Sequence, residues 1–395
     1  MKNIYLFSIL AVLILVFGCV QQADNAKLVS EDKTVKTIEP VVKQPDITPI
    51  IENKTTNSTP LVVPLVNDTA KNETKNETKV PELQKGVVDN YLQVTKYDPE
   101  KAWNGYTLIP DNHDTANPRI VEVNMQGEVV WEYILPAEFS GYTNPGFDAE
   151  LLPNGNVQFV VARKGIFEVD KSGNILWEYR TGKISHDADR LPNGNILFGF
   201  GAEDKSTDAQ VTEITPSGKV VWTWYAKDHY NTLSYNKIYD QGWTHTNAVL
   251  RMDNGDTLIS PRNFNLLVEV DASGNVVKEI GKGLMYYQHD PVFLADGNLL
   301  FANHVEPNEI LEINPNTNEV LWNYTINSTY LQPARDANRL PNGNTLITGT
   351  GAILEVTPDK EVVWSLKLSN IALTRQTAAS NGFYKAERVD RIVGE

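Results

Sequence analysis

Cysteine is all but missing from this chain. A single one, Cys19, stands among 395 residues, so no intrachain disulfide can form. Basic charge is also scarce: 35 Lys and Arg face 50 Asp and Glu, for a formal net charge of -15. That balance argues against a nucleic-acid binder, which needs a basic face. Long apolar runs are confined to the N-terminus. There Ile4–Phe17 follows Lys2 and ends at Gly18-Cys19. The run falls short of the ~20 residues that a membrane-spanning helix requires, and it reads as a secretory leader. The small residue before Cys19 fits a lipoprotein cleavage box, with Cys19 as the lipidated new N-terminus. Residues 1–19 are therefore expected to be a leader or anchor segment. The bulk of the chain is expected outside the cytoplasm, at the cell surface or in a periplasm, and membrane-anchored only through its N-terminus.

Residues 20–85 lack any lasting apolar period. They are rich in Thr, Asn, Lys, Glu, Val and Pro and include the low-complexity run KNETKNETK. Such a stretch buries too little apolar surface to offset chain entropy, and a disordered stalk is expected. Asn-X-Ser/Thr occurs there at Asn53, Asn57, Asn67, Asn72 and Asn76, which suggests glycosylation. A phosphate-binding Gly-rich loop and a Ser-His-Asp spacing are both wanting.

What the chain has is a repeat. FDAELLPNGN starts at Phe147, HDADRLPNGN at His186, HTNAVLRMDNGD at His245, HDPVFLADGN at His289 and RDANRLPNGN at Arg335. A worn copy, YDPEKAWNGY, starts at Tyr97. A second signature follows each: a strand, a Gly-containing turn, then β-branched residues ending in Trp131, Trp177, Trp222, Trp322 or Trp364, with Lys278 in the fourth copy. Asn-Gly and Asp-Gly between apolar runs signal hairpins. Four short antiparallel strands per unit, recurring every forty to sixty residues or so, describe a β-propeller blade. The expectation is an all-β, six-bladed propeller over residues 86–395. The Trp residues should pack between blades, and the tail 369–395 should close the ring or cover one end.

In a propeller the first strand of each blade lines the central channel. The variable first residues should then form a ring of Tyr97, Phe147, His186, His245, His289 and Arg335. Reflecting His289 through the Asp296-Gly297 turn lands on His304, and reflecting His245 lands near Arg262 to Phe264. Asn247 should share the strand face of His245. By the same alternation Asp98, Asp148, Asp187, Asp290 and Asp336, each following a first residue, should point away from the channel. The result is a cationic hole without inward carboxylates, suited to a tetrahedral anion such as sulfate or phosphate. Two arginines in the ring disfavour a divalent metal, and neither a metal nor another cofactor is expected.

The segments HDADRLPNGNILFGF, WTHTNAVLRMDNGDTLISPRN and YYQHDPVFLADGNLLFANH resemble the arylsulfotransferase family of extracytoplasmic propellers. The resemblance covers residues 95–390 or so, and the pair His245 and Asn247 followed by Arg262 is its most specific part. It implies transfer of a sulfuryl group from a phenolic sulfate to a phenol, independent of the sulfonucleotide PAPS, through a sulfo-histidine. It further implies His289 as nucleophile, with His186, His245 and Arg262 on the sulfuryl oxygens and Asn247 orienting them. Tyr97, Phe147, Trp103 and Trp243 could stack an aromatic substrate; His304 and Arg335 line the substrate site without a transferable role. The chain departs from bacterial relatives in having a polar stalk and no paired cysteines. Two other readings compete: a non-catalytic surface propeller that binds anionic or sulfated ligands, and a quinone-dependent dehydrogenase propeller.

Overall fold

The computed structural model describes residues 85–327, 331–371 and 381–394; Cys19, the leader and the stalk lie outside them. The described residues form a six-bladed β-propeller of antiparallel sheets. From the channel outward, blade 2 runs Asp148–Leu151, Val157–Val161, Gly165–Val169, Ile175–Arg180. Blade 3 runs Ala188–Arg190, Ile196–Gly199, Val211–Ile214, Val220–Trp224. Blade 4 runs Thr246–Arg251, Thr257–Pro261, Leu267–Val270, Val276–Ile280. Blade 5 runs Gln288–Phe293, Leu299–Asn303, Glu309–Ile313, Val320–Thr325.

Blades 1 and 6 share the two ends of the domain. Blade 6 runs Ala334–Arg339, Thr345–Gly349, Ala352–Val356, Val362–Leu368, and adds Leu92–Tyr97 as a fifth, outer strand. Blade 1 has Tyr106–Asp111, Arg119–Val123 and Glu128–Ile134, with Val87–Val88 outside. Its innermost strand is C-terminal, Glu387–Val389, paired antiparallel with Tyr106–Asp111. The tail therefore closes the ring. The worn copy at Tyr97 is an outer strand of blade 6, and the true sixth copy is YKAER, Tyr384–Arg388.

The repeated turn residues have a backbone reason. In blade 2, Gly155 N–H donates to the Leu152 carbonyl and Leu152 N–H to the Asn156 carbonyl, closing a tight turn that ends in a left-handed residue. The corresponding glycines, Gly155, Gly194, Gly255, Gly297 and Gly343, have φ of 82, 83, 88, 84 and 86°. Only glycine adopts that region without a Cβ penalty.

Neighbouring blades are fastened by a three-residue device. The indole Nε1 of Trp131, Trp177, Trp322 and Trp364 donates to a carbonyl in the next blade's outer turn: Lys171, Pro216, Pro358 and Met125 respectively. In blade 3 it is Trp224, not Trp222, that makes this bond, to Gly274. Trp222 instead lies under Arg251, as Trp177 lies under Arg190, Trp322 under Arg339 and Trp364 under Arg388. Each of those arginines sits on an inner strand and pairs with a Glu of the preceding blade: Arg190–Glu168, Arg251–Glu213, Arg339–Glu312 and Arg388–Glu355. Between blades 4 and 5, where Lys278 replaces Trp, Phe293 also replaces Arg.

Candidate active site

The first residues of five inner strands do converge. His186, His245, His289, Arg335 and the C-terminal Tyr384 come together in one cluster, and all five are buried. Tyr384 is its hub: its ring lies 5.7 Å from that of His186 and 6.0 Å from that of His289, with the Arg335 guanidinium 5.0 Å over it. The Tyr384 hydroxyl is buried without a hydrogen-bond partner among the described residues. His304 stacks on His289 at 4.5 Å, although the register pairs His289 with Ala302; the bulge that follows His289 lets the rings meet. Phe147 reaches the edge of the group within the apolar cluster that also holds Tyr384. It follows Gly146, where any Cβ would fall 2.5 Å from the His186 Cα.

Tyr97 is not part of this ring. It lies on the outer strand of blade 6, and its hydroxyl bonds Asn104. Trp103 and Trp243 are likewise engaged in packing: the Trp103 N–H donates to Glu355, and Trp243 sits edge-on to Phe264 with its Nε1 on the Tyr235 carbonyl.

Hydrogen bonds fix the histidine tautomers. His289 Nδ1 is 2.8 Å from the Tyr287 carbonyl, so Nδ1 donates and Nε2 keeps its lone pair. His245 Nδ1 is 3.0 Å from the Gln241 carbonyl, so its Nε2 is also an acceptor. That nitrogen lies 3.1 Å from His186 Nε2, which must then be the donor. His186 Nδ1 is left to accept from the Ser185 hydroxyl at 2.7 Å. His186 and His245 thus satisfy one another, whereas the His289 Nε2 lone pair is not spent on a protein donor among the described residues.

All four histidines are held neutral. Burial, then His245 and Arg262, hold His186 well below the usual imidazole range. Burial, then Arg262, brings His245 to about 3. Burial, then His304 and Arg262, depress His289, and burial, then Arg335 and Arg262, depress His304. The cations that depress them are themselves fixed. Arg262 opens a short 3-10 turn, Arg262–Phe264, and its Nη2 donates to the Asp240 carbonyl and the Asn263 side chain while its guanidinium lies 4.6 Å from the Tyr287 ring.

The supporting frame is strained, as at many functional sites. Gln241, His245, Asn265, Tyr287 and Asp290 all have φ between 47 and 55°. Asp204 secures the His245 turn by accepting from the backbone N–H groups of Thr244 and His245 and from the Thr244 hydroxyl. Asn247 sits in a bulge and donates from Nδ2 to the Gln288 carbonyl at 2.8 Å, so it holds the residue before His289.

The expectation that the channel has no inward carboxylates fails. Asp148, Asp187 and Asp290, from three different blades, all reach Lys385 Nζ at 3.5, 2.9 and 2.9 Å. Asp336 belongs to the same group and takes the Ala386 N–H. Strict alternation would have turned these residues outward. In blades 5 and 6 a bulge at the entry of the inner strand breaks the two-residue period; in blades 2 and 3 the pairing begins only at Asp148 and Ala188, so Phe147, His186 and Asp187 precede the regular strand. Asp98, on the outer side of blade 6, takes no part; its N–H donates to the Val363 carbonyl. Sequence reasoning missed Tyr384, Lys385 and Asp204. For the first two a signal existed, since YKAER aligns with HDADR and RDANR.

Comparison with known proteins bears on fold and family separately. A crystal structure of a protein of unknown function from Bacteroides caccae superposes with a TM-score of 0.52 at 16% identity, covering 72% of this chain and 98% of that one. Virginiamycin B lyase from Staphylococcus aureus gives 0.44 at 16% identity over 71% and 89%. A streptogramin B lyase gives 0.43 at 14% over 71% and 88%. At 16% identity the first of these shows a shared fold alone. No curated protein matches the chain. The model of the arylsulfotransferase (ASST) family matches residues 91–282, a span that contains His186, His245, Asn247 and Arg262 but ends before His289. Over these residues, from the outer strand of blade 6 through blade 4, the chain is similar to the arylsulfotransferase family.

Proposed function

We propose that this propeller transfers a sulfuryl group from a phenolic sulfate to a phenolic acceptor, with His289 as the covalent carrier. One observation supports this reading above the others: His289 is a neutral, buried imidazole whose tautomer leaves Nε2 without a protein donor among the described residues, with His304, Arg262 and His186 beside it. In the first half-reaction Nε2 attacks sulfur, the S–O bond to the aryl group breaks, and its electron pair leaves on the phenolate. The positive charge then on the ring is stabilised by the Nδ1–H bond to the Tyr287 carbonyl. In the second half-reaction the acceptor phenol gives its proton to the His186–His245 pair, which passes it to the departed phenolate; the phenol oxygen attacks sulfur, the Nε2–S bond breaks with its electron pair returning to Nε2, and neutral His289 is regenerated.

Sulfuryl transfer, like phosphoryl transfer, asks mainly for positioning and for stabilisation of charge on the peripheral oxygens. Arg262 and Arg335 supply fixed cationic donors for those oxygens. His186 and His245, released from one another, can serve as donor and proton acceptor. Asn247 acts through the Gln288 carbonyl to hold the nucleophile's strand. The family match supports the aryl-sulfate chemistry in general; the sulfo-histidine, the substrates and a lipid-anchored, extracytoplasmic setting are our reading. The test is a chromogenic aryl sulfate with a phenol as acceptor. The full chain should transfer the group and His289→Asn should not; wild-type turnover by that variant refutes the assignment.

A further inference from the structure

Directly beneath the histidine layer, one residue further along the same inner strands, lies a layer of opposite sign. Asp148, Asp187, Asp290 and Asp336 follow Phe147, His186, His289 and Arg335, and in blade 1 the equivalent residue is Lys385, which follows Tyr384. One residue of strand separates the layers by about 3.3 Å. A set of carboxylates so close below an oxyanion site works against that site, because in a buried setting unit charges act over many ångströms. Lys385 breaks the repeat at the one position where a cation can touch several of them. Its side chain is only 13% exposed and pairs with three blades at once.

We propose that Lys385 is an electrostatic positioning residue: it neutralises the channel carboxylates so that the layer above accepts a tetrahedral oxyanion. This deepens the sulfuryl-transfer reading and rests on it. The protonation pattern agrees. Burial opposes charge on Lys385, yet Asp148, Asp187 and Asp290 hold its pKa well above the ordinary lysine range. Asp148 is raised to about 7, by burial first and then by Asp187 and Asp290 against the pull of Lys385. Asp336 is pushed well above the carboxylate range by burial and by Asp290, to which it hydrogen-bonds. Much of the negative charge is thus already titrated away or paired.

The groups that face Lys385 come from every packed element. Its own segment brings Tyr384 and Glu387, blade 2 Asp148 and Glu150, blade 3 His186, Asp187 and Asp189, blade 5 Asp290, and blade 6 Asp336. The test measures the affinity of the full chain for inorganic sulfate by calorimetry at pH 8 and pH 6. Lys385→Met should weaken sulfate about tenfold or more at pH 8, and the loss should shrink at pH 6 as carboxylates take up protons. Asp187→Asn, which keeps an oxygen for the Val249 N–H, should act in the opposite direction and tighten sulfate. Combining the two should return the affinity toward wild type.

A structural role alone would make both single variants worse. Equal weakening by both, no change in either, or no sulfate binding by the wild-type chain overturns the inference. Where Lys385→Met does not fold, the sign of the Asp187→Asn effect decides by itself. Turnover of an aryl sulfate is followed in parallel. The predicted sulfate pattern without transfer to a phenol removes the enzyme reading and leaves the role of Lys385 standing; transfer without that pattern does the reverse.

Discussion

At the scale of single residues, what matters is which imidazole can offer a lone pair. His289 can, because a backbone carbonyl fixes its proton on Nδ1 and burial beside Arg262 keeps it neutral. An ordinary histidine loses half its neutral form near pH 6.5. Here the folded-state value is depressed, so the nucleophile persists as pH falls through that point. The rate constant kcat/KM with an aryl sulfate is expected not to fall from pH 8 down past 6.5; an acid limb centred at 6.5 contradicts the account. The same depression carries a stability sign. Unfolded histidines bind protons below about 6.5 that the folded ones refuse, so the histidines' own contribution to stability should decline as pH falls below that value, while raised carboxylates such as Asp148 act in the opposite sense. The change in denaturant midpoint from pH 8 to pH 5.5 should therefore be less negative in His289→Asn than in the wild-type chain; an equal change contradicts the account. The histidine and arginine positions were legible from the repeat, since they vary while the turn does not. Tyr384 and Lys385 were harder to see, because YKAER is not followed by the Asn-Gly or Asp-Gly turn that marks the other copies.

At the scale of elements, hairpin turns and blade seams carry the fold. Gly297 has φ of 84° and open space where a Cβ would stand, so Gly297→Ala isolates backbone strain from packing. It should cost about 1–2 kcal/mol in chemical denaturation without altering turnover. A seam residue should cost more. Arg388 and Glu355 are fully buried against each other under Trp364. Arg388→Met leaves a buried carboxylate unpaired and should cost about 3–5 kcal/mol, whereas replacing both partners with apolar residues should cost much less. The strand and turn pattern of each blade could be read from alternation and Asn-Gly spacing. The direction of Asp290 and Asp336 could not, because bulges at the inner-strand entries of blades 5 and 6 cancel alternation and leave no letter of their own in the sequence.

At the scale of the whole molecule, the propeller is closed by its two ends. Leu92–Tyr97 finishes blade 6 from outside, and Glu387–Val389 finishes blade 1 from inside, carrying Tyr384 and Lys385 to the axis. Truncation after residue 380 removes closure and the centre of the site together. Such a chain is expected to lose cooperative unfolding and to expose apolar surface, seen by calorimetry and dye binding. A compact, cooperative truncated chain would show that closure lies elsewhere. The number of blades and closure by the tail could be read from the repeat, but the sixth copy was misassigned: the worn copy at Tyr97 keeps the turn letters while belonging to an edge strand.

The central claim is that His289 carries the sulfuryl group between two phenols. The most direct measurement is to incubate the full chain briefly with an aryl sulfate in the absence of acceptor, quench it, and map peptides by mass. The account predicts a sulfuryl adduct on the peptide containing His289, lost on addition of a phenol and never formed in His289→Asn. An adduct on another residue, or transfer to phenol that proceeds with no adduct and survives His289→Asn, contradicts it.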